Sequence, residues 1–267
     1  MSPLHLVRVP ISTTALGSWA ALRNYGLATW KDARDRRVIS HFDEGRALHH
    51  LLTELFGKRA IHPFRAFWAA DKIHLEVYGY SSCEDQRLKQ IAQETGLPDA
   101  LAVCDMDRIL SRQMPSDWKV GRRLGFETRV RPVSRLEYKL PRRDSSTFKR
   151  GAEIDTFLVE AMRRFSDQVT SGNNMLQAGR TREAVYTDWL ASRLGNSVQL
   201  CPGIRFSRFS RVRAARGGCS PEGPDAILRG EFVIKDPVEF TKVITKGIGR
   251  HRAYGYGMLL LRPAQML

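Results

Sequence analysis

A pair of adjacent histidines offers the clearest acid–base chemistry in this sequence. His49 and His50 lie between leucines in the stretch LHHLL, and Arg46 precedes them by three and four residues. On a helix Arg46 therefore lies one turn before both imidazoles. An imidazole titrates near neutral pH and an arginine stays protonated, so this group could transfer a proton and stabilise negative charge. The alternative is a purely structural histidine at the rim of an apolar helix face.

Residues 247–257 form a second candidate site, in which four glycines alternate with basic and aromatic residues. Glycine allows the backbone to approach a bulky group closely, with N–H groups pointing at an anion. Arg250 and Arg252 make phosphate the expected anion, and Tyr254 could stack on a base. The pattern has neither the strand–turn–helix context of a dinucleotide fingerprint nor the Gly-Lys-Ser/Thr of a Walker loop. The alternative is a glycine-rich turn that is merely basic.

Two clusters of arginine point to the same kind of ligand. The first comprises Lys31, Arg34, Arg36 and Arg37. The second lies along a predicted strand, where Arg205, Arg208, Arg211 and Arg213 alternate with apolar residues. Arginines on one face of a twisted hairpin suit the backbone or groove of a nucleic-acid duplex. Each cluster could instead be a solvated, charged face.

The composition favours a nucleic-acid ligand over a membrane or a metal. The chain has 267 residues, a formal net charge of +15, 42% hydrophobic residues and 27% charged residues, which is typical of a globular protein with real cores. No apolar run approaches the roughly 20 residues that span a bilayer, and we see no signal peptide. The 4 cysteines form no CxxC pair and the histidines no metal motif, so we predict reduced thiols, a cytoplasmic location, no metal and no cofactor.

The first half has the element order strand-helix-strand-strand-helix-strand, which is typical of a ferredoxin-like unit. We predict strands at 4–9, 64–69, 73–80 and 124–133, and helices at 44–56 and 82–95. Residues 11–42 lengthen the first connection with a short helix and the first basic cluster. Residues 105–122 are predicted to be irregular, and residues 134–150 to be a linker or mobile arm.

The second half repeats part of this order. We predict helices at 152–165 and 182–194, a long hairpin at 200–213 and 226–234, a helix from Asp236 to Lys246, and a last strand at 256–261. Asp236, Pro237 and Glu239 form a strong helix start. The predicted fold is therefore α+β, with two tandem ferredoxin-like domains at 1–140 and 150–267 and an extra basic helical insertion at 11–42.

The segment RGEFVIKDPVEFTKVITKGIGRHRAYGYGMLLLRP, at 229–263, resembles the C-terminal end of the CasE-type CRISPR repeat-processing endonucleases. That family has a strand, an Asp-Pro helix start, a Gly-x-Gly loop with a basic residue, an aromatic-Gly pair and a Leu-rich strand in this order. Four further segments resemble other parts of the same proteins: GRALHHLLTELFG, LGFETRVRPVSR, REAVYTDWLASRLG and IRFSRFSRVRAARGG. The resemblance covers most of the chain outside residues 11–42.

The resemblance implies two ferredoxin-like (RAMP or RRM-like) domains that recognise the repeat stem-loop of precursor CRISPR RNA. It implies metal-free cleavage to mature crRNA, in which the ribose 2′-OH attacks the adjacent phosphate and leaves a 2′,3′-cyclic phosphate. The expected partners are the repeat RNA and other subunits of a CRISPR effector complex, without a membrane. One alternative is a non-catalytic RNA-binding subunit. Another is a DNA-binding regulator, which the missing helix-turn-helix pattern disfavours.

By the same resemblance, His49 occupies the place of the catalytic histidine, and Arg46 stands where the family has a helper tyrosine. This replacement and the insertion leave an arginine-based site open, with Arg23, Arg34 and Arg37 as candidates and type IV relatives as the nearer group. The catalytic prediction is therefore His49, Arg46 and Arg23. The predicted RNA-binding residues are Arg34, Arg36, Arg37, Arg205, Arg208, Arg211, Arg213, Lys246, Gly247, Gly249, Arg250, Arg252 and Tyr254.

Overall fold

A computed structural model describes residues 3–31, 37–70, 73–141, 147–165, 172–214 and 221–264. The strands are β1 (His5–Ser12), β2 (Leu27–Lys31), β3 (Val38–Phe42), β4 (Phe64–Trp68), β5 (His74–Ser81), β6 (Leu110–Gln113), β7 (Arg123–Val130), β8 (Val133–Arg135), β9 (Leu140–Pro141), β10 (Thr147–Phe148), β11 (Glu153–Asp155), β12 (Val198–Leu200), β13 (Arg205–Arg213), β14 (Glu222–Ile234) and β15 (Leu259–Pro263). The helices are α1 (Thr13–Leu22), α2 (Glu44–Phe56), α3 (Asp85–Thr95), α4 (Pro98–Leu101), α5 (Thr156–Arg164), α6 (Gly172–Gln177), α7 (Arg182–Leu194) and α8 (Pro237–Lys246).

The first antiparallel sheet has the strand order β4-β5-β1-β6. Helices α2 and α3 contribute buried side chains to the core of this sheet, where Leu48, Leu51 and Leu55 of α2 are almost fully buried. Apolar residues at this spacing lie on one face of a helix, which is why α2 packs against the sheet. The Asp43 carboxylate accepts a hydrogen bond of 3.0 Å from the Arg46 N–H and begins α2, which ends at Gly57 with φ +90°. The predicted helix at 44–56 is confirmed.

The second sheet has the order β12-β14-β7-β15, and β13 also pairs with β14. Helices α7 and α8 bury Tyr186, Leu190, Phe240 and Ile244 in the core that this sheet contributes to. The Asp236 carboxylate accepts hydrogen bonds from Val238 N–H at 2.9 Å and Glu239 N–H at 3.0 Å, with Pro237 in the first turn. The predicted Asp-Pro start of α8 is therefore confirmed.

Two buried polar contacts join the sheets. The Arg65 guanidinium of β4 lies 2.5 Å from the Glu127 carboxylate of β7, and the Arg229 guanidinium of β14 also donates to Glu127. The Tyr80 hydroxyl of β5 donates to the Leu259 carbonyl of β15 at 2.8 Å. Polar side chains of the first sheet thus bond to buried groups of the second sheet.

The last strand predicted for the first half belongs to the second sheet. Strand β7 pairs with β14 on one side and β15 on the other, while β6 supplies the fourth strand of the first sheet. Residues 105–122, predicted to be irregular, therefore contain a strand. In the four-strand order of each sheet, the strand that comes first in the chain lies between the strands that come third and fourth. That strand is β1 in the first sheet and β7 in the second. The division at 140–150 stays a prediction, and the strand pairing favours a boundary before β7.

Three other segments differ from prediction. The insertion at 11–42 is only partly helical, because α1 is followed by the hairpin of β2 and β3. The predicted linker contains β8, β9 and β10, and β8 pairs with β11. The helix predicted from residue 152 begins after β11, since the Asp155 carboxylate accepts a hydrogen bond from the Phe157 N–H at 2.9 Å. Within the described ranges, no helix is long and apolar enough to cross a bilayer.

Candidate functional site

The predicted catalytic helix and the predicted glycine loop are in contact and form one site. Gly45 of α2 lies so close to the Tyr254 carbonyl that an added Cβ would overlap it. One turn later, the His49 ring meets the Tyr254 ring edge to face, with 5.2 Å between centroids. A tyrosine therefore contacts His49 although the helix itself has Arg46 where the resembled family has a tyrosine.

His49 is half-buried and lines a small enclosed space, here called the histidine pocket. Its volume is about 80 Å³, and its lining includes His49, Thr53, Arg59, His62, Phe64 and Ala253. The Thr53 hydroxyl donates to the His49 carbonyl at 2.7 Å. A second histidine and an arginine, neither singled out from the sequence, thus share a pocket with His49.

A larger space, the basic cavity, shares Arg59 and His62 with the histidine pocket. It has a volume of about 650 Å³, and its lining includes Arg59, His62, Tyr80, Thr245, Lys246 and Arg252. Arg252 donates to the Lys246 carbonyl at 2.7 Å, which holds the guanidinium at the end of α8. None of the described carboxylates lines either space, so both favour an anionic ligand.

Arg46 lies one turn before both histidines of α2 and is not in the lining of the histidine pocket or of the basic cavity. The His50 ring stacks on Tyr25 at 3.8 Å between centroids. Burial lowers the pKa of His50, and the charges of His49 and Arg46 lower it further. The charge of Arg46 therefore acts on His50. The predicted role of Arg46 in catalysis stays a prediction.

Arg23 is held by carboxylates. Its guanidinium lies 2.6 Å from Asp99 and 3.5 Å from Glu54, and 4.9 Å above the Trp19 ring. The hydrogen bond to Asp99 raises the pKa of Arg23. Glu54 lies one turn after His50 on α2, so Arg23 pairs on the His50 side of the helix. Its predicted catalytic role stays a prediction, and the two ion pairs supply a structural explanation for this arginine.

The glycines of the loop are required by contacts within the protein. Gly247 and Gly249 have φ of +74° and +71°, and a Cβ on Gly249 would lie 2.8 Å from the Trp189 ring. The N–H groups of Gly247, Ile248 and Gly257 donate to backbone carbonyls. These three amides are thus unavailable to an anion.

Arg250 is neutralised by Glu153 of β11. The Arg250 guanidinium pairs with one carboxylate oxygen, and His251 Nε2 lies 2.7 Å from the other. The hydrogen bond to His251, with the charges of His251 and Arg250, lowers the pKa of Glu153 to about 2. Among the predicted phosphate ligands of this loop, Arg252 and Lys246 line the basic cavity, whereas Arg250 anchors the loop.

The basic hairpin of β13 and β14 has arginines on both faces. A bulge lies between Phe206 and Arg208, and beyond it Arg208 alternates along the strand with Arg211 and Arg213, although Arg208 and Arg213 both line one cleft. Arg211 and Arg213 pair with Glu222 at 2.5 and 3.3 Å. The four arginines therefore do not all alternate onto one face of β13, because Arg208 and Arg211 are three residues apart. The basic face of the hairpin as an RNA-binding surface stays a prediction.

Arg208 lines a third space, the hairpin cleft, of about 350 Å³. Its lining includes Phe42, Phe67, Trp68, Arg208, Arg213 and Tyr254. Arg213 also lies 5.2 Å from the Trp30 ring of β2, which links the hairpin to the insertion. Arg205 and Arg37 are exposed, while Arg34 and Arg36 lie outside the described residues. The RNA-binding role of all these residues stays a prediction.

Sequence reasoning missed His62 and Arg59. Both lie in the short connection between α2 and β4, and nothing in the local pattern distinguishes them from a basic turn. A histidine and an arginine within a few residues of the end of the His49 helix were the available signal. Within the ranges that the structure covers, no three His, Cys, Asp or Glu side chains cluster closely enough to hold a metal ion.

Two helix glycines make a matched test of the contact between α2 and the loop. Gly17 of α1 has open space around its Cβ position, whereas a Cβ on Gly45 would overlap the Tyr254 carbonyl. We expect Gly17→Ala to raise the free energy of unfolding by about 0.5–1 kcal/mol. We expect Gly45→Ala to lower it by about 1–3 kcal/mol through overpacking. Urea denaturation measures both, and equal stabilisation by the two variants would contradict the contact.

Comparison with known proteins identifies a family. The model of a family described as CRISPR associated protein matches residues 25–263. No curated protein matches the chain. Among solved structures, the CRISPR endoribonuclease Cse3 bound to 19 nt RNA has 15% identity and TM-score 0.58, over 98% of this chain and 100% of that one. Thermus thermophilus Cse3, bound to an RNA representing a pre-cleavage complex, has 14% identity and TM-score 0.57, over 98% and 100%.

Cas6e from Escherichia coli str. K-12 has 17% identity and TM-score 0.56, covering 97% of this chain and 100% of that one. At these identities the likeness shows the fold. The predicted α+β class with tandem ferredoxin-like units is therefore confirmed, and the strand order of the two sheets agrees with it. The resemblance to the CasE-type proteins is confirmed by the family match together with the shared fold.

Proposed function

This chain belongs to the CRISPR associated protein family, and from that premise we propose that it binds the repeat stem-loop of precursor CRISPR RNA and cleaves it. One observation carries the proposal: His49 meets the glycine loop beside a cavity lined by arginine and lysine and by none of the described carboxylates. The fold that this chain shares with Cse3 adds support. Both of the Cse3 structures contain RNA, and one of them represents a pre-cleavage complex.

The RNA would be held by two surfaces. Arg205 and Arg208, both exposed on β13, are placed to contact the phosphate backbone or groove of the stem. Lys246 and Arg252 would hold the single strand next to the stem, within the basic cavity. Trp68, which is 59% exposed at the hairpin cleft, offers a face on which a base can stack.

The cleavage itself would need no metal. A base removes the proton of the ribose 2′-OH, the 2′-oxygen attacks the adjacent phosphorus, and the bond from phosphorus to the 5′-oxygen breaks. An acid protonates the leaving 5′-oxygen, which gives a 2′,3′-cyclic phosphate and a 5′-OH. His49 would transfer one of these protons, and the cations of the basic cavity would stabilise the phosphorane. The product would stay bound in a cytoplasmic effector complex.

The second candidate is an RNA-binding subunit without catalysis. Two observations favour it: Arg46 is not in the lining of the histidine pocket or the basic cavity, and Arg23 is occupied by Asp99 and Glu54. An RNA-binding subunit would bind the same stem-loop with the same surfaces and leave it intact.

A single-turnover assay distinguishes the two candidates. We expect excess protein in EDTA to convert a repeat stem-loop RNA, transcribed from the array of the source genome, into two products with a cyclic phosphate end. A 2′-deoxy substitution at the cut nucleotide should abolish cleavage and preserve binding, because the nucleophile is removed. Intact RNA after long incubation with saturating protein would establish the non-catalytic candidate. Cleavage that EDTA stops would show that the metal-free reaction is wrong.

A further inference from the structure

We infer that His62 is a second acid–base residue of the cleavage reaction and acts with His49 on one phosphodiester bond, an inference that rests on the proposed function. Both imidazoles line the histidine pocket, and His62 also lines the basic cavity. At about 80 Å³ the histidine pocket has room for only two or three waters. The RNA backbone would therefore lie in the basic cavity, and only the reacting linkage would pass His62 into the histidine pocket, which both imidazoles line.

Cationic groups face the His62 wall of the basic cavity from several of the elements around it. Arg59 comes from the connection before β4, Arg252 from the glycine loop and Lys246 from the end of α8, while His49 of α2 lines the adjoining histidine pocket. None of the described carboxylates lines either space. The positive charges of Arg59, Lys246 and Arg252 are therefore not balanced by carboxylates of the lining. A phosphodiester is the anion that RNA would supply to balance them.

The backbone on both sides of His62 is tied to the sheets. The His62 N–H donates to the Tyr80 carbonyl at 2.7 Å, and the Tyr80 N–H donates to the Pro63 carbonyl at 3.1 Å. The Tyr80 hydroxyl donates to the Leu259 carbonyl of the second sheet at 2.8 Å. These bonds tie the backbone that carries His62 to both sheets, and a proton-transfer group requires such a fixed support.

His62 is in the protonation state that a general base requires. Burial lowers its pKa to about 4, with Arg252, Arg59 and His49 contributing. The ring is therefore neutral at pH 7 and has a free lone pair. Neutral His62 takes the 2′-OH proton, the 2′-oxygen bonds to phosphorus, and the bond to the 5′-oxygen breaks. His49 in its protonated form gives its proton to the 5′-oxygen, so one proton enters and one leaves the histidine pair.

The first test compares rates in single-turnover cleavage of the repeat stem-loop. We expect His62→Ala and His62→Gln to lower the rate by about 10²–10⁴-fold, because general-base catalysis is lost. Affinity for the 2′-deoxy RNA should change by less than about threefold, since the arginines and lysine that hold the phosphates remain. His74→Ala is the matched control, because His74 is an exposed histidine at the start of β5.

A second test separates the base from the acid and from a structural role. In a substrate whose 5′-bridging oxygen is replaced by sulfur, the leaving group needs no proton. We expect this substrate to restore the rate of His49→Ala and to leave the His62 variants slow. The wild-type rate should fall as the pH drops toward the pKa of His62, because the base becomes protonated, and the His62 variants should lose this fall.

Three outcomes would overturn the inference. The first is a wild-type rate in both His62 variants, and the second is a loss that resides entirely in RNA affinity. The third is an unchanged acid limb of the pH profile in variants that fold, as judged by thermal denaturation. If the wild-type protein binds the stem-loop and never cuts it, the proposed function itself fails and His62 has no reaction to assist.

Discussion

His49→Ala is expected to lower the single-turnover rate of repeat-RNA cleavage by about 10²–10⁴-fold, the range over which a general acid or base acts. The imidazole lines the pocket that adjoins the basic cavity and contacts Tyr254 at 5.2 Å between ring centroids. Binding should be retained, because the arginines of the hairpin and cavity are untouched. Filter binding of 2′-deoxy RNA beside the cleavage assay separates the two effects.

The neighbouring histidine supplies the control for this variant. His50→Ala removes the same side chain from the same helix, on the face that stacks on Tyr25. We expect its rate to stay within a few-fold of wild type. If His49→Ala cleaves at the wild-type rate and Arg23→Ala loses most of its cleavage rate, the histidine mechanism is wrong and the arginine-based mechanism is established. In that case catalysis would come mainly from positioning the 2′-OH in line, because an arginine is a poor base.

Glu127→Gln is expected to lower the free energy of unfolding by about 3–5 kcal/mol, as is usual when one partner of a buried ion pair is removed. Only 6% of the Arg65 side chain and 11% of the Glu127 side chain are exposed. Without the carboxylate, a guanidinium stays buried between the sheets with no opposing charge. The midpoint of urea denaturation should fall at an unchanged m-value.

Two variants make this prediction specific. Glu239→Gln breaks an exposed ion pair with Lys242 and should leave the denaturation midpoint where it is. The double variant Arg65→Met, Glu127→Leu replaces both charges with apolar groups and should recover most of the loss. If Glu127→Gln has the midpoint of the wild-type protein, the ion pair does not hold the two sheets together.

Much of the local structure follows from the sequence. The apolar spacing and the Asp43 and Gly57 boundaries predict α2, and the Asp236-Pro237 start predicts α8, because both signals act within a few residues. The order of these elements, with the glycine loop and the Leu-rich last strand, is also sufficient for the family resemblance. The position of His49 on α2 is predicted by the same local signals.

Tertiary structure alone decided what these elements meet. Strand β7 lies in the second sheet because its hydrogen-bond partners are β14 and β15, both about 100 residues or more distant, and its own apolar alternation is compatible with either sheet. Likewise, only folding brings Arg23 to Asp99 and Arg250 to Glu153. Side-chain pairs of this kind have no local signature, because a charge in the sequence is equally suited to solvent, carboxylate or phosphate.

The site shows the same division. The sequence determined that a histidine helix and a basic glycine loop exist, since residue type and helical or turn geometry are local properties. The fold decided that the two touch at Gly45 and Tyr254, that the glycines serve packing, and that His62 joins His49 in one pocket. Which side chains share a cavity depends on how the two sheets pack, and that packing is set by the buried surface of the whole chain.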